Sequence, residues 1–167
     1  MKRRRFLILG SMIGIASCLK AETIVKDKAF ESVRETIDAV LAHFFPEGGL
    51  LPSAKKMRLS GFVQKTMAHP SFDQEIRAFV IDGAKELERR TDGTFCSYDE
   101  KMREKALRAY EATNYGRSWL SRVMTLGMEG LLSDPIYGSN QDGAAWKALE
   151  TSGGLPRPRK RYIDEDL

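Results

Sequence analysis

Two cysteines and two histidines are all that 167 residues supply of the commonest metal-binding side chains, and that scarcity excludes several chemistries. His43 and His69 stand on different segments, with neither Glu-x-x-His nor His-Glu-x-x-His spacing around them. A zinc or iron site draws on more ligands than this, so both histidines read as core or capping residues. No Cys-x-x-Cys-His run occurs, which excludes covalent attachment of haem to this chain. None of the fourteen glycines falls into a G-x-G-x-x-G turn or a P-loop, so no nucleotide cofactor is held in the usual way. Catalytic, cofactor and metal residues are therefore all assigned as none.

An excess of one charge is also missing from the body of the chain. The formal net charge of +4 and the pI near 9.1 come from Lys2, Arg3, Arg4 and Arg5. With those four set aside, the 23 acidic residues are matched one for one by basic ones. A second basic cluster, Arg157, Arg159, Lys160 and Arg161, is followed at once by Asp164, Glu165 and Asp166. A phosphate-binding face needs a sustained surplus of Lys and Arg, so nucleic acid is excluded as a partner. Hydrophobic residues at 42% against charged ones at 30% give the balance of a folded globular chain.

No apolar run is long enough to cross a bilayer. The stretch at 6–16 is too short to span ~30 Å as a helix. Preceded by four basic residues and closed by small ones, it reads as a secretory signal over residues 1–17. Within it Arg3, Arg4, Arg5, Phe6 and Leu7 resemble the twin-arginine motif, two arginines and one variable residue before two apolar ones. Lys2 stands where that motif prefers Ser or Thr. The route exports proteins already folded, often with a cofactor-bearing partner; the alternative is an ordinary export signal for an unfolded chain. Ile15, Ala16, Ser17 and Cys18 resemble a lipobox, in which the cysteine is acylated and begins the mature chain. Each buried methylene of an acyl chain adds ~0.8 kcal/mol and more than one chain is needed to hold, so a multiply acylated Cys18 would be a membrane anchor; the alternative is simple cleavage nearby, with Cys18 lost. Cys96 then has no intramolecular partner in an oxidising compartment. Beside Phe95 it reads as a buried inert thiol, with an intermolecular bridge as the alternative.

What the chain does have is helical periodicity. Phe30, Val33, Ile37, Val40, Leu41 and Phe44 keep helical spacing over 24–45. "PEGGLLP" breaks the pattern at 46–52. Ser53 caps a second helix with Leu59, Phe62, Val63 and Met67 on one face, and His69-Pro70 ends it. Phe72, Ile76, Phe79, Val80, Ala84 and Leu87 form a third, stopped at Asp92-Gly93. Ser97 and Glu100 read as a capping box for a fourth helix with Met102, Ala106, Ala109 and Tyr110. "NYG" at 114–116 punctuates, and Trp119, Leu120, Val123, Met124 and Leu131 mark a fifth. Strand-like alternation and internal repeats are both absent. The reading is an all-α compact bundle of about five helices filling 18–167 as one domain.

The stretch "DPIYGSNQDGAAWK" at 134–147 breaks that regularity. Calcium fails as an explanation: with Gly143 at the sixth position of an EF-hand loop, Gly138 and Leu149 fall where side-chain oxygens are required. Asp134, Pro135, Tyr137 and Gly138 suit a turn, with Pro pre-setting φ and Gly free to take a positive one. Asp142 reads as the cap of a short helix carrying Trp146. Tyr137 and Trp146 are then either offered to a partner as aromatic anchors or folded back as a lid on the bundle.

Those residues carry a resemblance. "GLLSDPIYGSNQDGAAWKAL" is similar to the C-terminal motif of the gluconate 2-dehydrogenase subunit 3 family, typically D-P-x-Y-G-G-N-x-D-x-x-G-W-K. Asp134, Pro135, Tyr137, Gly138, Asn140, Asp142, Trp146 and Lys147 match, while Ser139 and Ala145 replace glycines and "ETSGGLP" replaces a Gly-rich follow-on. "IDAVLAHFFPEGG" and "SYDEKMREKALRAYEA" extend the likeness more loosely. The resemblance implies a small, non-catalytic subunit of a membrane-bound dehydrogenase oxidising a sugar, sugar acid or polyol. FAD is then expected in a large partner subunit and haem c in a multi-haem cytochrome subunit. The small subunit would assist folding and twin-arginine export of the flavoprotein to the periplasm, and the matched residues of 134–147 would face it. The rival reading is a free-standing helical envelope lipoprotein with no redox role.

The lipobox reading has a direct test. Metabolic labelling with a fatty acid should mark the parent chain and leave Cys18→Ala unlabelled and released from the membrane fraction. A parent chain cleaved after residue 18 and carrying no label would end the anchor assignment.

Overall fold

The computed structural model describes residues 28–161. The export signal and Cys18 lie outside them. Five long helices form the body: α1 (Arg34–Phe44), α3 (Leu59–Ala68), α4 (Gln74–Arg90), α5 (Glu100–Glu111) and α6 (Asn114–Leu132). Two short ones, α2 (Ala54–Met57) and α7 (Ala144–Ala148), lie before α3 and after α6. Every regular element among the described residues is helical, so the all-α bundle expected from periodicity is what the chain forms. No helix among them is long and apolar enough to cross a membrane.

The helices start where short polar side chains satisfy the first free backbone N–H groups. Ser53 Oγ accepts from Lys56 N at 3.3 Å, Asp73 Oδ1 from Glu75 N at 2.8 Å, and Thr113 Oγ1 from Gly116 N at 2.9 Å. Four expectations need correction. The capping box at Ser97 does not form, because Ser97 Oγ donates to Thr94 O at 2.7 Å within the 3-10 turn Phe95–Ser97. Asp99 is the cap instead, accepting from Met102 N at 2.8 Å. The expected first helix is interrupted: Ser32 Oγ hydrogen-bonds Ala29 O at 2.7 Å and Val33, at φ −124° and ψ 4°, leaves helical geometry before α1 begins. The helix that Ser53 caps ends after one turn, at Arg58 with φ 54°, and α3 restarts behind it. "NYG" is no break either, since Asn114 opens α6.

Helix α6 is the axis, packed against α1, α3, α4 and α5. Its Trp119 is completely buried and lies across α4. The indole Nε1 donates to Val80 O at 2.9 Å, and Tyr110 OH from α5 donates to Gly83 O at 3.0 Å. The two rings lean on each other with centroids 5.6 Å apart. Burial raises the Tyr110 phenol well above its usual range, so it remains a donor throughout. Ile37, Val40 and Leu41 of α1, Val63 and Met67 of α3 and Leu107 of α5 close the core around this pair.

Cys96 is not the buried thiol that its neighbour Phe95 led us to expect. In a 3-10 turn consecutive side chains point about 120° apart, so Phe95 is fully buried and Cys96 is exposed. Its Sγ donates to Glu88 Oε1 at 3.3 Å, with Thr36 Oγ1 3.9 Å away. Partial burial of the sulfur and then the Glu88 carboxylate push the thiol up to about 11. At neutral pH it is protonated and a weak nucleophile.

The seat of Trp119 generates a stability prediction. A Cβ on Gly83 would lie 2.0 Å from Trp119 Cδ1, inside the ring. Alanine gains ~1 kcal/mol in a helix interior, but overpacking costs ~1–3 kcal/mol or more. Gly83→Ala should therefore lower the urea midpoint of the mature chain, and an unchanged or raised midpoint would show that α4 and α6 are free to separate.

Candidate functional site

The irregular segment begins where α6 runs out of helix. Ser133, extended at ψ 160°, turns its Oγ back to Gly130 O at 2.9 Å. Asp134 then caps the 3-10 turn Pro135–Tyr137, accepting from Ile136 N at 3.0 Å, and Gly138 closes it at φ 86°. That is the turn expected from "DPIYG".

Asn140 organises the rest. It is completely buried and sits in the left-handed region at φ 44°, which Asn tolerates better than most residues. Its Nδ2 donates to Ser133 O and its Oδ1 accepts from Ala145 N, both at 2.9 Å. One side chain thus ties the end of α6 to the start of α7. The expected cap, Asp142, makes no such bond: it is exposed at φ 55°, and Gly143 at φ 64° is the cap residue by position. The capping task has passed to Asn140. Ser139 is buried too, and its Oγ donates to Met57 O at 2.7 Å, binding the loop to the end of α2. Where the motif usually has glycine, this chain uses a hydroxyl to satisfy a carbonyl.

Trp146 takes the second of the two positions left open for it, as a lid. The residue is 8% exposed and its Nε1 donates to Leu132 O at 2.9 Å. Gly153 lies against the ring so closely that a Cβ would come within 2.3 Å of Cη2. The Arg157 guanidinium covers the ring at 4.7 Å from its centroid, and its Nε donates to Asp134 Oδ2. Hydrogen bonding from Arg157 holds the Asp134 carboxyl below its usual range. That link is intact at neutral pH and is lost as the pH falls through the lowered value. Tyr137, Pro135 and Gly138 are half-buried, while Asp142 and Lys147 face outward. Gly153 and Arg157 lay beyond the motif, and the one sequence signal for them was a large indole needing cover.

A separate groove of about 460 Å³ opens between α1, α5 and α6, lined by His43, Glu104, Arg108, Arg117 and Met124 among others. His43 Nε2 and Glu104 Oε2 are 2.6 Å apart, and Arg108 Nε donates to Glu104 Oε1 at 2.7 Å. Arg108 first and His43 second hold the Glu104 carboxyl below its usual range. These groups clip α1 to α5. His69 Nδ1 accepts from Ser71 N at 3.2 Å, shaping the turn after α3. Among the described residues no three His, Cys, Asp or Glu side chains gather where they could hold a metal ion. Arg3, Arg4, Phe6, Leu7 and Cys18 lie outside the described residues, so their assignments stay expectations.

The described residues form a helical bundle whose end is closed by a tightly bonded loop. The family model for gluconate 2-dehydrogenase subunit 3 matches residues 31–154, and the chain belongs to that family. The family's name points to an accessory subunit of a gluconate 2-dehydrogenase-like oxidoreductase complex. No curated protein and no solved structure matches the chain.

Removing the lid should cost the fold. Trp146→Ala is expected to destabilise the mature chain by ~3–5 kcal/mol, as large-to-small core changes do, while Asp142→Asn leaves the melting curve in place. A Trp146→Ala chain melting with the parent would return the indole to the surface.

Proposed function

We propose that the chain is the non-catalytic small subunit of a periplasmic, membrane-bound dehydrogenase that oxidises a sugar, sugar acid or polyol. FAD resides in the large subunit, and a multi-haem cytochrome c subunit takes the electrons. The small subunit binds the flavoprotein as it folds and carries it through the twin-arginine route, and Cys18 then anchors the complex by its acyl chains. The observation that carries this reading is the family match over residues 31–154, which takes in the clasp from Asp134 to Trp146.

The geometry supports a docking role better than a chemical one. On this reading the flavin sits in the large subunit, as the family resemblance implies. The clasp consumes its own polar groups: Asp134, Ser139, Asn140 and Trp146 all bond within the chain. A loop held this way enters a complex already ordered, and binding then costs less conformational entropy. The partner-facing part of the motif is Tyr137, Pro135, Gly138 and Asp142, with Asn140 and Trp146 fixing their positions from beneath.

Export of two chains on one signal is the distinguishing consequence. Lysine keeps the charge of arginine but loses the planar guanidinium, and Arg5 pairs with Arg4 if Arg3 alone is changed. Arg3→Lys with Arg4→Lys should leave both this chain and the flavoprotein in the cytoplasm. A flavoprotein that still reaches the periplasm in that strain would refute the carrier role.

A further inference from the structure

Beyond Trp146 the chain doubles back across the clasp as an irregular strap, residues 151–161, with neither helix nor strand and with bends at 155–156 and 159–160. It is fastened along its length. Thr151 N donates to Trp146 O at 2.8 Å, and Gly153 lies on the indole face. Arg157 bonds to Asp134 and stacks on Trp146, and Arg161 Nε donates to Ile136 O. All four fastenings are to the 134–147 motif.

Between them the strap faces away from the protein. Leu155 is 91% exposed, more than Leu50 or any other large hydrophobic residue recorded as exposed among the described ones. Arg159 and Lys160 are exposed as well, and neither has an ion-pair partner among the described residues. Pro156 and Pro158 stiffen the backbone around them and remove two N–H groups from it. A segment fastened at several points and stiffened by proline has little freedom left to lose on binding, which favours its use as a recognition element. The fold holds this segment in place and yet buries little of Leu155.

We propose that the strap is a preformed docking arm. Leu155 enters an apolar pocket on a protein partner, and Arg159 and Lys160 meet carboxylates at the rim of that pocket. The proposal rests on the reading above and gives the flavoprotein subunit a specific feature: an acidic surface groove with an apolar floor. An anionic bilayer fits less well. Lipid adhesion draws on several apolar groups and a basic cluster, whereas the strap projects one leucine.

The test uses full-length chains expressed in the host together with the complex. The FAD-containing subunit is co-purified from membranes, and its affinity for each variant of the mature chain is titrated. Leu155→Asp should weaken binding at least about tenfold, the scale of a hot-spot loss. Arg159→Glu with Lys160→Glu should weaken it comparably at low salt and flatten its salt dependence. Both variants should melt with the parent, because these side chains touch little of the fold. Variants that hold the flavoprotein as tightly as the parent overturn the docking arm and leave the subunit reading standing. A parent chain that brings down no flavoprotein overturns the subunit reading, and the arm with it. A third arm uses Cys18→Ala chains and vesicles of phosphatidylglycerol and phosphatidylcholine. Sedimentation that depends on Leu155, Arg159 and Lys160 would assign the strap to a membrane surface and overturn the protein partner.

Discussion

Trp119 resting on the bare backbone of Gly83 is the contact that lets the other helices meet. A completely buried indole must both fill its space and satisfy its N–H, and Val80 O does the second at 2.9 Å. The first requires α4 to present no side chain at Gly83, where a Cβ would lie 2.0 Å from the ring. Tyr110 on α5 then closes over the same turn of α4 and bonds to Gly83 O at 3.0 Å. Gly116 repeats the device at the start of α6, since a Cβ there would stand 2.1 Å from Tyr110 O. Two glycines and two aromatic residues thus hold α4, α5 and α6 at one spacing, and α1 and α3 pack on the surface they create.

The C-terminal clasp depends on that axis for its position and on Asn140 for its shape. Helix α6 delivers Ser133 and Leu132 to a defined place, and their carbonyls become the acceptors for Asn140 and Trp146. Leaving such groups unpaired in a buried place would cost ~1–3 kcal/mol each, so the loop has one well-determined arrangement. The motif that marks the family is in this respect a self-bonding device. Its residues hold Tyr137 at the surface, cover the end of the bundle with an indole and offer a floor to the strap.

That arrangement bears on how a small subunit of an oxidoreductase complex works. Its body has its polar groups largely paired, and its grooves are lined by side chains already engaged with each other, as His43, Glu104 and Arg108 are. The clasp, the strap and the exposed Leu155 lie together, while Met102 on α5 and Tyr115 on α6 are exposed on the body. The proposed escort role assigns the binding to the clasp and the strap.

Much of the body was legible in the sequence because its determinants are local. Apolar spacing located all five long helices, and Ser53, His69-Pro70 and Asp92-Gly93 marked boundaries through rules acting over a few residues. The family motif was equally legible as a string. What the sequence withheld were the choices among competing partners, some a few residues away and some on other segments. Ser97 and Glu100 have capping-box spacing, yet the neighbouring 3-10 turn claims Ser97 and leaves the cap to Asp99. Phe95 is buried and Cys96 is not, since a turn of three residues separates their directions. Asp142 has the chemistry of a cap, but only Asn140 is placed to reach Ala145 N. For Trp146 the string allowed either an anchor for a partner or a lid, and the decision came from Leu132, Gly153 and Arg157, none of which belongs to the motif. Composition, charge balance and helical class follow from short-range periodicity and were determined by the sequence alone. Which side chains face inward depends on what approaches them from elsewhere in the chain, and the tertiary structure decided that.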